Sequence, residues 1–310
     1  MQFYRQTLKK AWSLTIQNPF LWFFGLFAAL AGNGEEYDTF FNNLRLVQNT
    51  QTNLEDYRTA LFDGQIGNFF HNLGLTFKTD LGTALLLLVV AALILLIIAW
   101  LMTVSQAALI TAANRKENGE KNSFIDLVIT GSRFYWKLFG LNALAMVSIY
   151  VVLGLVALPL VALYIPHASP TWSVLLTLIA FIILIPINVI ISFITKYAAI
   201  YVVTQGNKIF PAIVNAWRLF KKNWLISLEL GILLLIINVA YTVLLVSVLA
   251  MLSLPFSRAG LIAMTAVVVI AGSIFSAFRY SAWTFLFRDI IEDRGVSKLV
   301  RLFQSRSTEK

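Results

Sequence analysis

The chain has no cysteine among its 310 residues. Disulfides, thiolate nucleophiles and sulfur-ligated zinc sites are therefore excluded. Charge is scarce as well: Asp, Glu, Lys and Arg make up 13% of the residues, about half the share usual in a soluble protein. The two histidines, His71 and His167, stand far apart, so there is no His-x-x-x-His helix. There is also no P-loop, and no two carboxylates share an apolar run. These gaps leave no catalytic or metal-binding residue to nominate and imply no cofactor.

What is present is apolar length. Hydrophobic residues make up 59% of the chain, and several runs exceed the ~20 residues that cross a bilayer as a helix. The runs do not alternate, which excludes a β-barrel. The fold expected is all-α: one polytopic membrane domain over residues 1–310. Six spans are expected, at Pro19–Ala31, Leu81–Thr111, Leu138–Ile165, Trp172–Val203, Leu225–Leu254 and Leu261–Phe287.

The formal charge is +9. In a membrane protein this excess sets topology and attracts anionic lipid, and nucleic acid is not an expected partner. Segments 1–15, 112–137, 204–224 and 288–310 hold 3, 5, 4 and 6 basic residues, whereas 32–80, 166–171 and 255–260 hold 3, 0 and 1. Both termini are therefore expected in the cytoplasm. Lys9 and Lys10 before an apolar stretch, with Ala29-Leu30-Ala31 after it, also fit a cleaved leader. The match of Trp12 and Asn18 to Trp217 and Asn223 favours a retained first helix, with Tyr4, Leu8 and Trp12 on one face.

A short pattern recurs. Ser105-Gln106-Ala107-Ala108, Lys196-Tyr197-Ala198-Ala199 and Arg279-Tyr280-Ser281-Ala282 stand near the ends of three runs. Ala11-Trp12-Ser13-Leu14, Gly131-Ser132-Arg133-Phe134 and Ala216-Trp217-Arg218-Leu219 stand before three others. We read three parallel helical-hairpin repeats, about 4–113, 120–204 and 207–290. Each begins with a basic amphipathic helix in the cytoplasmic interface. The handovers are Asn118-Gly119-Glu120-Lys121, Gln205-Gly206-Asn207-Lys208 and Asp293-Arg294-Gly295. In the tail, 288–310, Arg301-Leu302-Phe303 echoes Arg218-Leu219-Phe220. The interfacial anchors are Lys9, Lys10, Trp12, Trp217, Arg218, Lys221, Lys222 and Trp224, placed to hold the headgroup boundary and anionic lipid. The outer loop, 32–80, holds seven acidic residues and many aromatics; it reads as a structural lid, or else as a gate or partner surface.

Three ionisable residues fall within spans: Lys196, Glu229 and Arg279. Intramembrane charge suggests function, but all three lie in one layer near the inner headgroups, where Lys and Arg snorkel. A clamp of Glu229 with one or both cations is expected. Ser105, Lys196 and Arg279, with Gln106, Tyr197 and Tyr280, are candidates for a polar ring around a pseudo-threefold axis. The small residues beside them suit close helix packing. Asn142, Asn188, Asn238 and Tyr241 suit interhelical hydrogen bonds, and Pro159 and Pro186 suit kinks. Asp289, Glu292 and Asp293 alternate with Arg288 and Arg294 and read as a solvated, self-compensated helix.

Two segments carry a family resemblance: Ala216-Trp217-Arg218-Leu219-Phe220-Lys221-Lys222-Asn223-Trp224 and Ala282-Trp283-Thr284-Phe285-Leu286-Phe287-Arg288-Asp289. With the long outer loop, they resemble a bacterial family of six-span integral membrane proteins. It includes the membrane domain fused to some glycerophosphodiester phosphodiesterases and the YciC-like envelope proteins. The resemblance implies a fold and a bacterial inner membrane. It implies no activity, since the phosphodiesterase chemistry belongs to a separate soluble domain absent from this chain. The functional expectation is a non-enzymatic protein that binds or moves lipid or another amphipathic molecule. A substrate-binding subunit of a multi-component transporter and a lipid-modifying enzyme are the other readings.

Overall fold

A computed structural model describes residues 2–31, 81–167, 170–252 and 258–292. These residues form eight α-helices and no strand: α1 Gln2–Gln17, α2 Leu21–Ala31, α3 Leu81–Glu117, α4 Phe124–Arg133, α5 Tyr135–His167, α6 Pro170–Gln205, α7 Ile209–Leu252 and α8 Arg258–Ile291. The loop 32–80 and the tail beyond Glu292 lie outside the described residues, as do the side chains of Pro159 and His167.

Five stretches are long and apolar enough to cross a bilayer: Leu81–Glu117, Tyr135–Val156, Ile182–Gln205, Ile209–Leu245 and Ala266–Ile291. The chain is therefore a multi-pass helical membrane protein. The span expected at Pro19–Ala31 corresponds to α2, which begins at Leu21. Pro19 sets that start and separates α2 from α1, for it offers no N–H and pushes Asn18 out of the helical region. A turn results, closed by Leu21 N–H on Asn18 O (2.9 Å) and Trp22 N–H on Pro19 O (3.0 Å).

Other breaks have equally local causes. Gly119 ends α3 with φ +75°, where a side chain would be strained. Its N–H bonds Lys116 O at 3.2 Å and the next, Glu120 N–H, bonds Arg115 O at 2.9 Å, a glycine-terminated helix end. Gly206 ends α6 in the same way, with φ +70°. Inside α7, Asn223 leaves helical geometry (φ −127°, ψ 30°), which separates the segment before it from the membrane-crossing part. Its side chain donates to Leu219 O at 3.3 Å, as Asn18 does to Leu14 O at 2.9 Å.

Hydrogen bonds join the end of α8 to that of α3 and the start of α5 to the end of α6, and buried residues of α3, α5, α6, α7 and α8 form one cluster at this end of the bundle. Arg288 donates to Asn114 Oδ1 (3.1 Å) and Asn118 Oδ1 (2.7 Å). Lys137 donates to Gly206 O at 2.9 Å. We call this the basic end. There α3, α6 and α8 touch one another, α2 lies between α3 and α8, α5 and α7 flank α6, α1 lies along α8 and α4 along α3.

The core sits at this end. Ala107, Ala108, Ala198, Ala199, Ser281 and Ala282 are all buried to 1% exposure or less. Small side chains allow the close backbone approach that drives association in lipid, where apolar surface gains nothing by leaving the solvent. Away from it, Leu85–Ile98 of α3 exposes nearly every side chain, as an apolar helix in hydrocarbon may do at no cost.

Gly25 marks the tightest approach. A Cβ there would overlap the carbonyl oxygen of Ser273 on α8 and stand 3.2 Å from Ala277 Cβ. Gly154 on α5 has no neighbour within 4 Å of the same position. Gly25→Val is expected to force α2 off α8 and cost about 1–3 kcal/mol, whereas Gly154→Val is expected to cost well under that. Thermal denaturation of the two variants in detergent checks the contrast.

Candidate functional site

The polar groups of the basic end are joined by α1. Its packed face is Thr7, Ala11, Leu14 and Thr15, all buried. Tyr4 and Leu8 are half-buried at the edge of that face, and Trp12 is 52% exposed. The stripe expected through Tyr4, Leu8 and Trp12 is thus rotated toward Thr7. Tyr4 donates a short hydrogen bond to Glu229 Oε2 on α7. Thr7 donates to Asp289 Oδ2 on α8 at 3.0 Å. Lys10 pairs with Glu117 on α3 at 2.7 Å, and Lys116 donates to Gln17 at 3.4 Å. Trp12 meets Phe278 edge-on, with centroids 5.8 Å apart.

Asp289 corrects one expectation. It is 8% exposed and held by Thr7, not solvated. Its neighbours do compensate each other, Arg288 and Glu292 lying 3.0 Å apart one turn along the helix.

Of Lys196, Glu229 and Arg279, it is Lys196 that rests on aromatic rings. Lys196 Nζ lies 5.0 Å from the Trp283 centroid and 5.9 Å from that of Phe193, a cation–π arrangement. Phe193 in turn packs where a Cβ of Gly231 would stand, 2.8 Å from its Cζ. Tyr197 and Ser227 share a buried hydrogen bond of 2.7 Å. These two contacts set the register of antiparallel α6 and α7 and bring Lys196 level with Glu229. Arg279 lies one turn before Trp283 on α8 and is half-buried, as is Tyr280. A partner of Glu229 that the sequence pattern did not point to is Tyr4. It was visible only as a polar tip on an otherwise apolar stripe.

The other ring candidates bond sideways to neighbouring helices. Ser105 and Gln106 are buried, and Gln106 Oε1 accepts from Asn142 Nδ2 at 2.8 Å. The side-chain oxygens of Asn188 and Asn238 are buried without a hydrogen-bond partner among the described residues. Tyr241 stacks on Phe275 with centroids 4.7 Å apart, and Pro186 lies within α6. The expected anchors face outward: Trp217 is 46% and Trp224 54% exposed, and Lys9, Lys10, Arg218, Lys221 and Lys222 are exposed as well. Among the described residues no group of three or more His, Cys, Asp or Glu side chains is arranged to hold a metal ion.

In comparisons with known proteins, the chain matches no family model, no curated protein and no solved structure.

Burial first, and the bond to the Glu229 carboxylate second, raise the Tyr4 phenol above its ordinary value of 10.0. A raised folded-state value means stability that is complete below about pH 10 and declines above it, as the unfolded tyrosine ionises and the folded one does not. Tyr4→Phe is therefore expected to flatten the fall of melting temperature between about pH 10 and 11. At neutral pH, Glu229→Ala is expected to cost about 1.5–3 kcal/mol through loss of the charged acceptor. Glu229→Gln, which keeps an acceptor oxygen, is expected to cost less. Combining Tyr4→Phe with Glu229→Ala tests this through non-additivity.

Proposed function

We propose that this chain is a non-enzymatic protein of a bacterial inner membrane that binds or translocates lipid or another amphipathic molecule. The observation that carries the reading is the rim of the basic end. Exposed Trp12, Trp217 and Trp224 alternate there with exposed Lys9, Lys10, Arg218, Lys221 and Lys222. Indole rings and basic side chains at one level form a headgroup-contacting belt, with preference for anionic lipid. The charge bias of the loops supports a cytoplasmic position for this end and both termini. The resemblance to six-span bacterial envelope proteins supports the same membrane.

Within this reading α2 belongs to the first of six spans, and the domain is three tandem hairpin units related by an axis near the membrane normal. Equivalent contacts support the repeat. Gln106–Asn142 and Tyr197–Ser227 join corresponding positions of successive units. Ala11, Gly131 and Ala216 open the three units, and all are buried. Each unit's first helix lies across the hairpin before it, and the first unit lies across the third, closing a ring.

The test is direct. Full-length protein purified in mild detergent is expected to retain phospholipid detectable by native mass spectrometry, with anionic species enriched over the host membrane. In liposomes it is expected to accelerate exchange of a fluorescent lipid. Lipid-free protein with no effect on exchange refutes the proposal.

A further inference from the structure

Counter-charge is distributed unevenly along the chain. From Leu127 to Leu228 there are seven Lys and Arg residues and no Asp or Glu. Elsewhere at the basic end cations have carboxylate partners: Lys10 pairs with Glu117, Arg115 with Glu120 and Arg288 with Glu292.

Among the described residues the chain turns from a short helix into a longer apolar one at three corners. These are Asn18–Pro19 between α1 and α2, Phe134 between α4 and α5 (φ −96°, ψ 0°), and Asn223 within α7 (φ −127°, ψ 30°). They differ in charge. Five, two and one residues before Asn223 stand Arg218, Lys221 and Lys222; at the same distances before Asn18 stand Ser13, Ile16 and Gln17. Arg133 and Lys137 flank Phe134, but Lys137 is engaged, donating to Gly206 O at 2.9 Å and lying 5.9 Å from the Phe134 ring centroid. Arg218, Lys221 and Lys222 are all exposed, and none has a hydrogen bond, ion pair or ring contact among the described residues.

Residues spaced by three and four share one turn of helix, so these three like charges repel, and an anion set between them relieves that cost. The rest of the segment says which anion. Ala212 and Ala216 are fully buried and hold it to the bundle. Phe210, Val214 and Trp217, at i, i+4 and i+7, form an exposed apolar ridge beside the basic stripe, and Trp224 is exposed just past the corner. The membrane-crossing part of α7 begins there, so the stripe stands at headgroup depth and the ridge can meet acyl chains. A soluble acidic partner would satisfy the stripe and leave the ridge without an apolar neighbour.

We propose that the Asn223 corner of α7 is a binding site for an anionic glycerophospholipid. Arg218, Lys221 and Lys222 hold the phosphodiester, and Phe210, Val214 and Trp217 hold the upper acyl chains. The inference rests on the lipid-binding reading above and deepens it, naming the headgroup class and the one corner of three that selects it.

The experiment places the full chain in phosphatidylcholine vesicles and measures, by electron spin resonance, its preference for spin-labelled phosphatidylglycerol over spin-labelled phosphatidylcholine. Arg218→Gln with Lys222→Gln is expected to lower that preference about fivefold, the factor that one basic residue supplies at a membrane surface. Arg5→Gln with Lys121→Gln removes the same charge from two other exposed positions and is expected to leave the preference unchanged. Arg218→Lys with Lys222→Arg keeps both charges at the corner and is expected to keep the preference. Inorganic phosphate or polyglutamate, added at constant ionic strength, is expected not to release the labelled phosphatidylglycerol. Equal preference in the two charge-removing doubles overturns the corner site and leaves the lipid-binding reading in place. Release by phosphate assigns the corner to a free anion, and release by polyglutamate to an acidic polypeptide; either overturns the lipid site. An unaltered chain with no preference for phosphatidylglycerol overturns both the site and the preference for anionic lipid on which it rests.

Discussion

Backbone proximity at the basic end is the constraint on which the rest depends. In hydrocarbon, apolar helices gain nothing by hiding apolar surface from one another, so they associate where backbones come close enough for dense packing and direct hydrogen bonds. The seam of Gly25 on Ser273 and Ala277 fixes α2 against α8. The contact of Gly131 with Val104 does the same for α4 on α3. Buried alanines at the ends of α3, α6 and α8 bring these three helices into mutual contact. With those backbones placed, the polar side chains have few alternatives. Asn142 meets Gln106, Ser227 meets Tyr197, and Tyr4 meets Glu229.

The same packing settles how charge is tolerated inside the bundle. Lys196 rests on the faces of Trp283 and Phe193, where the ring quadrupoles replace part of the hydration it has lost. Glu229 accepts a hydrogen bond from the Tyr4 phenol, a charge-assisted bond stronger than one between neutral groups. The polar interior is therefore an arrangement of tyrosines and aromatic faces as much as of ions. That suits a layer close to headgroups, where amphipathic side chains keep their apolar bodies in lipid and their tips in the polar zone.

Much of this architecture was legible in the chain because its causes are local. Apolar run length marked six spans, and five stretches among the described residues are long and apolar enough to cross a bilayer; the glycines of Asn118-Gly119 and Gln205-Gly206 marked the ends of α3 and α6, where each adopts a positive φ. The buried small residues were legible from their recurrence. The first span was less so. Pro19 and Asn18 break the helix between an amphipathic segment, α1, and an apolar one, α2. The burial of Asp289 was not legible at all, since a carboxylate alternating with arginines looks solvated until Thr7 arrives from the other end of the chain.

Sequence alone determined that this is a multi-pass helical membrane protein, because hydrophobic length and composition act residue by residue on transfer into lipid. It also determined where the helices stop, because proline, glycine and asparagine act on their own backbone. Only the tertiary structure decided which polar groups meet. Tyr4 and Glu229 stand 225 residues apart, and no helical period links them. Their encounter depends on how α1 lies across α7 and α8, a matter of packing between helices that no single segment encodes.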